Sequence, residues 1–175
     1  MSDVEPIRSE RLELLPLARE FRRALLRGER RRAQRILGAK LPADFPGTDS
    51  SRFYRRHRRL EANPDLERWL TRLIVLKENR ELIGDVGFHD APDAEGRLEL
   101  GYRVFAPHRG RGYATEAARA LIRWAHEREG IARFRASVAP TNAPSLAVVR
   151  KLGFVETGSR IDEVDGLELV FELNF

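Results

Sequence analysis

The stretch from Arg97 to Ala139 constrains this chain more than any other. It reads as strand, turn, helix, strand. The helix over 112–128 carries Ala114, Ala117, Ala118, Leu121 and Ala125 at i, i+3, i+4, i+7 and i+11, one narrow face of small residues suited to close packing on a sheet. Gly130 is placed to stop it. Phe134 to Ala139 alternates Phe134, Ala136 and Val138 against Arg133, Arg135 and Ser137, the period of a strand. Two strands joined through a helix imply a parallel pair with a right-handed crossover.

The flanking segments predict antiparallel strands on both sides of that unit. Ser9 to Leu17 reads as a first strand, and 18–38 as helix broken near Gly28. Leu41 to Gly47 is a loop, and Ser50 or Ser51 caps a third helix that ends at Asn63-Pro64. Trp69 to Lys77 and Glu81 to His89 form a hairpin around Glu78-Asn79-Arg80. A turn over 90–96 leads into the strand 97–105. Pro144 opens a helix reaching Leu152, and Phe154 to Ser159 and Glu168 to Phe175 are the last strands. The expectation is one domain over 1–175 with a mixed α/β sheet and helices on both faces.

The link Val104 to Thr115 carries chemistry. A helix N-terminus offers unpaired backbone N–H groups and a partial positive charge. Gly110 and Gly112 let the backbone approach an anion, and Arg109 and Arg111 add charge-assisted donors. This predicts a phosphate-bearing ligand.

Composition removes several classes of function. With no cysteine there is no disulfide framework, thiolate metal site or cysteine nucleophile. His57, His89, His108 and His126 lack metal-ligand spacing, so no metal is expected. No apolar run approaches a membrane span, and Met1 to Pro6 has no signal-like core, so a cytoplasmic protein is the expectation. The net charge of +5 rests on arginine, clustered at Arg19 to Arg35 and Arg52 to Arg59. These clusters read as solvated helix faces, with nucleic acid or an acidic partner as the alternative.

Four features occur in order: the strand Leu98-Glu99-Leu100-Gly101-Tyr102-Arg103-Val104; Arg109-x-x-Gly112-x-Ala114; Asn142-x-x-Ser145 after a strand; and Lys151-Leu152-Gly153-Phe154. Together they resemble the GNAT superfamily of acetyl-CoA-dependent N-acetyltransferases. Glu-Leu-Gly-Tyr before the turn and Asn-x-x-Ser before Lys-Leu-Gly-Phe are similar to the branch that includes ribosomal-protein N-terminal acetyltransferases. The resemblance is sharp over 97–159 and diffuse over 9–96.

The resemblance implies a GNAT fold: a mixed, mostly antiparallel seven-stranded sheet whose parallel strands, 97–105 and 133–139, splay apart. It implies acetyl-CoA as cofactor. Its pantetheine arm would lie against the backbone of Val104, Phe105 and Ala106. Its pyrophosphate would lie on Arg109, Gly110, Arg111, Gly112, Tyr113, Ala114 and Thr115. Asn142 would bond the arm or cap its helix, and Ser145 would touch the arm or the sulfur. Glu99 is the first candidate for general base and His89 the second. The tyrosine that many members carry seven residues after the asparagine is Val149 here, so Ser145 or water is left as the thiolate's proton donor. The acceptor is an amine, either a peptide N-terminus or a small molecule, with a ribosomal protein among the candidates. A non-catalytic acyl-CoA-binding or RNA- and ribosome-associated module is the alternative. Phe53, Tyr54 and His57 read as core or surface before acceptor cleft, and Asp162 to Asp165 as a solvated acidic loop. Exposed strands near the C-terminus suggest a homodimer.

Overall fold

A computed structural model describes residues 4–47, 50–163 and 166–175, without the side chains of Ser50 and Arg52. Ser50 as a cap, Arg52 as a cluster member, and Val164 and Asp165 of the acidic loop therefore lie outside the described residues. The strands are β1 (Ile7–Arg8), β2 (Leu12–Pro16), β3 (Arg72–Leu76), β4 (Leu82–Phe88), β5 (Arg97–Val104), β6 (Arg133–Val138), β7 (Val155–Asp162) and β8 (Gly166–Asn174). The helices are α1 (Arg19–Leu26), α2 (Arg30–Leu37), α3 (Ser50–Ala62), α4 (Tyr113–Glu129) and α5 (Ala143–Lys151).

The sheet order is β1-β2-β3-β4-β5-β6-β8-β7. Only β5 and β6 among neighbouring strands run parallel, with α4 as the crossover. Eight strands replace the expected seven because Ile7–Arg8, just ahead of the expected first strand, folds back and pairs with it. Ile7 pairs with Leu14 and Arg8 with Glu13, and Ser9 closes the turn through its N–H to the Leu12 carbonyl at 3.0 Å. This hairpin buries Ile7 at the sheet edge, where a continuous strand would have left it exposed.

One face of the sheet packs under α4 and α5. Ala117, Ala118, Leu121 and Ala125 are fully buried there against Leu98, Leu100, Phe134 and Ala136. The small-residue stripe thus brings the helix axis close to the strands, as its spacing predicts. The opposite face is covered by α1, α2 and α3, through Phe21, Ala33, Leu37 and Phe53, over Leu73, Val75 and Leu82. That second core underlies β3 and β4, leaving polar side chains on the same face of β5, β6 and β7.

Candidate active site

The site begins with a defect in the sheet. β5 and β6 pair at Arg97–Arg133, Leu98–Phe134 and Glu99–Arg135, and no further. Both strands continue, β5 to Val104 and β6 to Val138. Their outer edges stay paired, β5 to β4 and β6 to β8. The facing edges beyond Glu99 therefore offer strand hydrogen-bonding groups to whatever enters the gap. An extended, amide-containing chain fits such an opening.

The gap leads to the glycine-arginine turn. Phe105 N–H bonds the Ile83 carbonyl at 2.8 Å, and Arg109 Nε donates to the Val104 carbonyl at 2.9 Å, fastening the turn to the end of β5. Gly112 occupies the N-cap of α4 with φ 79°, in the left-handed region, and no side chain caps the first turn. The helix presents its first N–H groups bare, next to exposed Arg111. This is the donor set a pyrophosphate requires.

Arg11 supports the turn from another strand hairpin. Its backbone N–H and Nε donate to Glu116 at 2.8 and 2.7 Å, Nη1 reaches the Arg111 carbonyl at 3.1 Å, and its guanidinium lies 4.5 Å from the Tyr113 ring centroid. Glu116 is thereby drawn toward Arg11 and Ser9. Sequence reasoning missed Arg11, because nothing local to it signals a partner about a hundred residues away.

Across the gap, Asn142 Oδ1 accepts the Ser145 N–H at 3.2 Å, which makes Asn142 the cap of α5. Ser145 Oγ lies 2.8 Å from the Tyr102 hydroxyl, which is also 3.1 Å from the Ser145 carbonyl. Tyr102 thus spans from β5 to α5. Burial pushes its phenol above the ordinary range, more than the Ser145 bond lowers it, so it remains a protonated donor. Tyr102 was read in sequence only as part of a motif. Val149 is fully buried in the core, so that helix position contributes packing rather than a hydroxyl.

The other face of β5 carries a polar cluster. Glu99 Oε1 accepts from Arg160 Nη2 at 2.8 Å and from Ser137 Oγ at 2.9 Å, and Oε2 accepts from Arg160 Nη1 at 3.3 Å. Arg160 Nε also donates to Glu168 at 3.0 Å. Burial pulls the Arg160 guanidinium down, but the bonds to Glu99 and Glu168 outweigh it and hold it above its usual value. His89 Nδ1 stands 3.8 Å from Glu99 Oε1. A Cβ on Gly101 would meet His89 Nε2 at 2.7 Å, so glycine makes room for the imidazole over the strand.

The expected site residues therefore divide between two sides of one strand. Val104 to Thr115, Asn142 and Ser145 border the gap and its mouth, while Glu99 and His89 share the opposite face. Of the acceptor candidates, Phe53 is core, Tyr54 is exposed, and His57 Nδ1 accepts from Arg22 Nε at 3.3 Å. The arginine clusters are mostly internal fasteners. Arg19, Arg22 and Arg23 converge on Glu61, Arg32 bonds Glu29, Arg56 bonds Asp85 and Arg59 bonds Asp90. Among the described residues, a cavity of about 1270 Å³ lies away from the gap, between residues 4–10, the Pro64–Arg68 turn and the outer face of α4. The chemistry follows the splayed strands and not this cavity, whose lining includes neither Tyr102 nor Ser145. No group of metal-ligating side chains occurs among the described residues, and no helix is long and apolar enough to cross a membrane.

A mixed sheet split at its parallel pair, with an uncapped helix at the mouth, defines an α/β fold built to take a phosphate-bearing, strand-like ligand. The family profile described as "Acetyltransferase (GNAT) domain" matches residues 11–155, and the chain belongs to that family. GNAT acetyltransferases use acetyl-CoA, and the gap and bare helix start fit its arm and its pyrophosphate. Among curated relatives, an uncharacterized N-acetyltransferase, YjdG of Bacillus subtilis, is 41% identical over 83 residues, 47% of this chain and 49% of its own. The chain thus covers about half the length of the curated relatives it matches. An acetyltransferase structure from Agrobacterium tumefaciens is 26% identical, with TM-score 0.66 over 100% of this chain and 97% of that one. RimL, a ribosomal L7/L12 alpha-N-protein acetyltransferase solved with coenzyme A, shares the fold at 18% identity, TM-score 0.68 and 98% coverage of both chains.

Proposed function

We propose that this chain moves an acetyl group from acetyl-CoA to a primary amine by direct attack, without a covalent enzyme intermediate. The observation that carries this reading is the end of β5–β6 pairing at Glu99, with the bare start of α4 at the mouth of the opening. Acetyl-CoA supplies the activated acyl group as a thioester. The chain's own part is to hold, orient and move protons. Backbone groups of Val104, Phe105 and Ala106 align the arm, and the turn from Arg109 to Thr115 takes the phosphates. A backbone N–H near Val104 stabilises the oxygen that becomes negative in the tetrahedral stage. Asn142 and Ser145 border the arm, and Tyr102 holds Ser145 in place. The amine approaches from the opposite face, where the cluster around Glu99 receives its proton.

The favoured acceptor is the α-amino group of a protein or peptide. Its pKa near ~8 leaves far more neutral amine at neutral pH than a lysine near ~10.4. The resemblance to ribosomal-protein acetyltransferases points the same way. A small-molecule amine is the competing acceptor. The buried Val149 favours a second reading, an acyl-CoA-binding module without turnover. β7 forms the sheet edge with Val155 and Ile161 exposed, a place for a second copy of the chain.

The test pairs calorimetry with an acetylation screen. Acetyl-CoA binding plus acetylation of N-terminal peptides supports the enzyme. Binding with no amine acetylated supports the module. Absence of binding to folded protein removes both.

A further inference from the structure

We infer that His89 is the atom-level proton acceptor of this site, that Glu99 is its orienting carboxylate, and that Arg160 positions Glu99. This rests on the acetyl-transfer reading above and divides labour within its polar cluster.

The argument starts from what Glu99 already holds. A carboxylate gripped by both ends of a guanidinium and by a serine hydroxyl has its lone pairs engaged. Carboxylate oxygens already accepting these bonds are poorly placed to take a proton from a substrate as well. Its place is also wrong for direct contact. The Glu99 side chain is 20% exposed, whereas His89 is 55% exposed. His89 is the more accessible of the pair on the face from which the amine approaches in this reading.

The imidazole lies beside Glu99 and over β5. Nδ1 faces Glu99 Oε1 at 3.8 Å, and Nε2 lies over Gly101, two residues along β5. Arg59 Nη1 donates to the His89 carbonyl at 2.7 Å and its Nη2 donates to Asp90 Oδ2 at 2.6 Å, which fixes the backbone that carries the ring. The charged groups near His89 include Glu99 on β5, backed by Arg160 and Glu168 of the last hairpin, and Arg59 and Asp90 beside its backbone. A neutral imidazole nitrogen can accept a proton from an amine. The adjacent anion stabilises the imidazolium that forms, and Arg160 holds that anion in place.

The step balances simply. The neutral amine forms the C–N bond as the thioester C–S bond breaks. The electron pair leaves on sulfur, and the surplus proton on nitrogen passes to His89 Nε2. Solvent returns a proton to the sulfur and takes one from the imidazolium.

The test reads protons directly as well as rates. The His89 ring is titrated by NMR in the free protein, its resonance assigned by its loss in H89Q. Glu99→Gln removes the stabilising anion, so the His89 pKa falls by about one pH unit. Arg160→Gln removes a competing cation, so it rises, and Arg160→Lys gives an intermediate value. The acidic limb of kcat/KM moves in the same directions. His89→Gln lowers kcat at least about a hundredfold. Coenzyme A affinity, measured by calorimetry, is unchanged in all four variants, which separates the proton route from acyl-donor binding and from misfolding. A His89 titration that does not move in E99Q overturns the proposal. So does H89Q with wild-type turnover beside an inactive E99Q, which makes Glu99 itself the base. If wild type acetylates no amine, the acetyl-transfer reading fails, while the NMR shifts still decide the coupling.

Discussion

Glu61→Gln is predicted to loosen the helices beside the acceptor face in a pH-dependent way. Glu61, at the end of α3, accepts from Arg19, Arg22 and Arg23 of α1 at 3.0 to 3.2 Å. Arg22 is buried, and burial draws its guanidinium below the usual range despite the Glu61 bond. The Arg19 hydrogen bond, aided by those of Arg23 and Arg22 and opposed by burial, takes the Glu61 carboxyl from 4.5 to about 2. At about 1.4 kcal/mol per pH unit, that gap corresponds to roughly 3.4 kcal/mol. The Glu61 side chain is 27% exposed and two of its partners are more so, so solvent screening leaves about 2 kcal/mol. The folded pKa is lowered, so this stability is fully present above 4.5 and is lost as pH falls toward 2. His57 adds a second acid-sensitive step. Burial and then Arg22 lower its pKa, so its contribution is present above 6.5 and lost as pH falls through the folded value. The assay is urea unfolding of wild type and E61Q followed by circular dichroism. Their difference isolates Glu61: about 2 kcal/mol at pH 7, with less than roughly half remaining at pH 3. A difference below about 0.5 kcal/mol at pH 7, or one that persists undiminished at pH 3, refutes the reasoning.

Three further outcomes follow from the same geometry. Gly112→Ala places a Cβ at φ 79° in the bare helix start, costing about 1 kcal/mol of stability and raising the coenzyme A Kd at least about tenfold; urea unfolding and calorimetry measure the two separately. Tyr102→Phe removes the hydroxyl link between β5 and α5 and is expected to cost about 1 kcal/mol in urea unfolding. Arg72→Met is expected to leave the Tm unchanged or higher. The Arg72 side chain is fully buried; its guanidinium lies 4.8 Å from the Trp124 ring centroid and Nη1 donates to the Glu5 carbonyl, but Nε and Nη2 have no hydrogen-bond partner among the described residues, and desolvation draws its pKa to about 10 in spite of Glu67 and Glu129.

What the sequence reveals here depends on how far apart the partners are. The unit from β5 to β6 was legible because its signals are local: a stripe of small residues, a glycine stop, an alternating strand. Gly110 and Gly112 sit inside that unit, and Asn142 and Ser145 in the short local motif that follows it. Arg11 with Glu116, Arg160 with Glu99, and Tyr102 with Ser145 join residues far apart in the chain, and no periodicity announces them. The doubled first strand was missed for a related reason, since its turn Ser9-Glu10-Arg11 has neither glycine nor proline. β5 itself explains how a short segment can serve two sides of a reaction. Its side chains alternate between faces, so Tyr102 turns toward α5 and the gap while Glu99 and Gly101 turn toward His89. In the proposed reaction acyl donor and amine meet across a single strand, and the β5–β6 pairing that ends at Glu99 leaves that strand open there. Closing the gap by extending the β5–β6 ladder would preserve every side chain of the site and still abolish it.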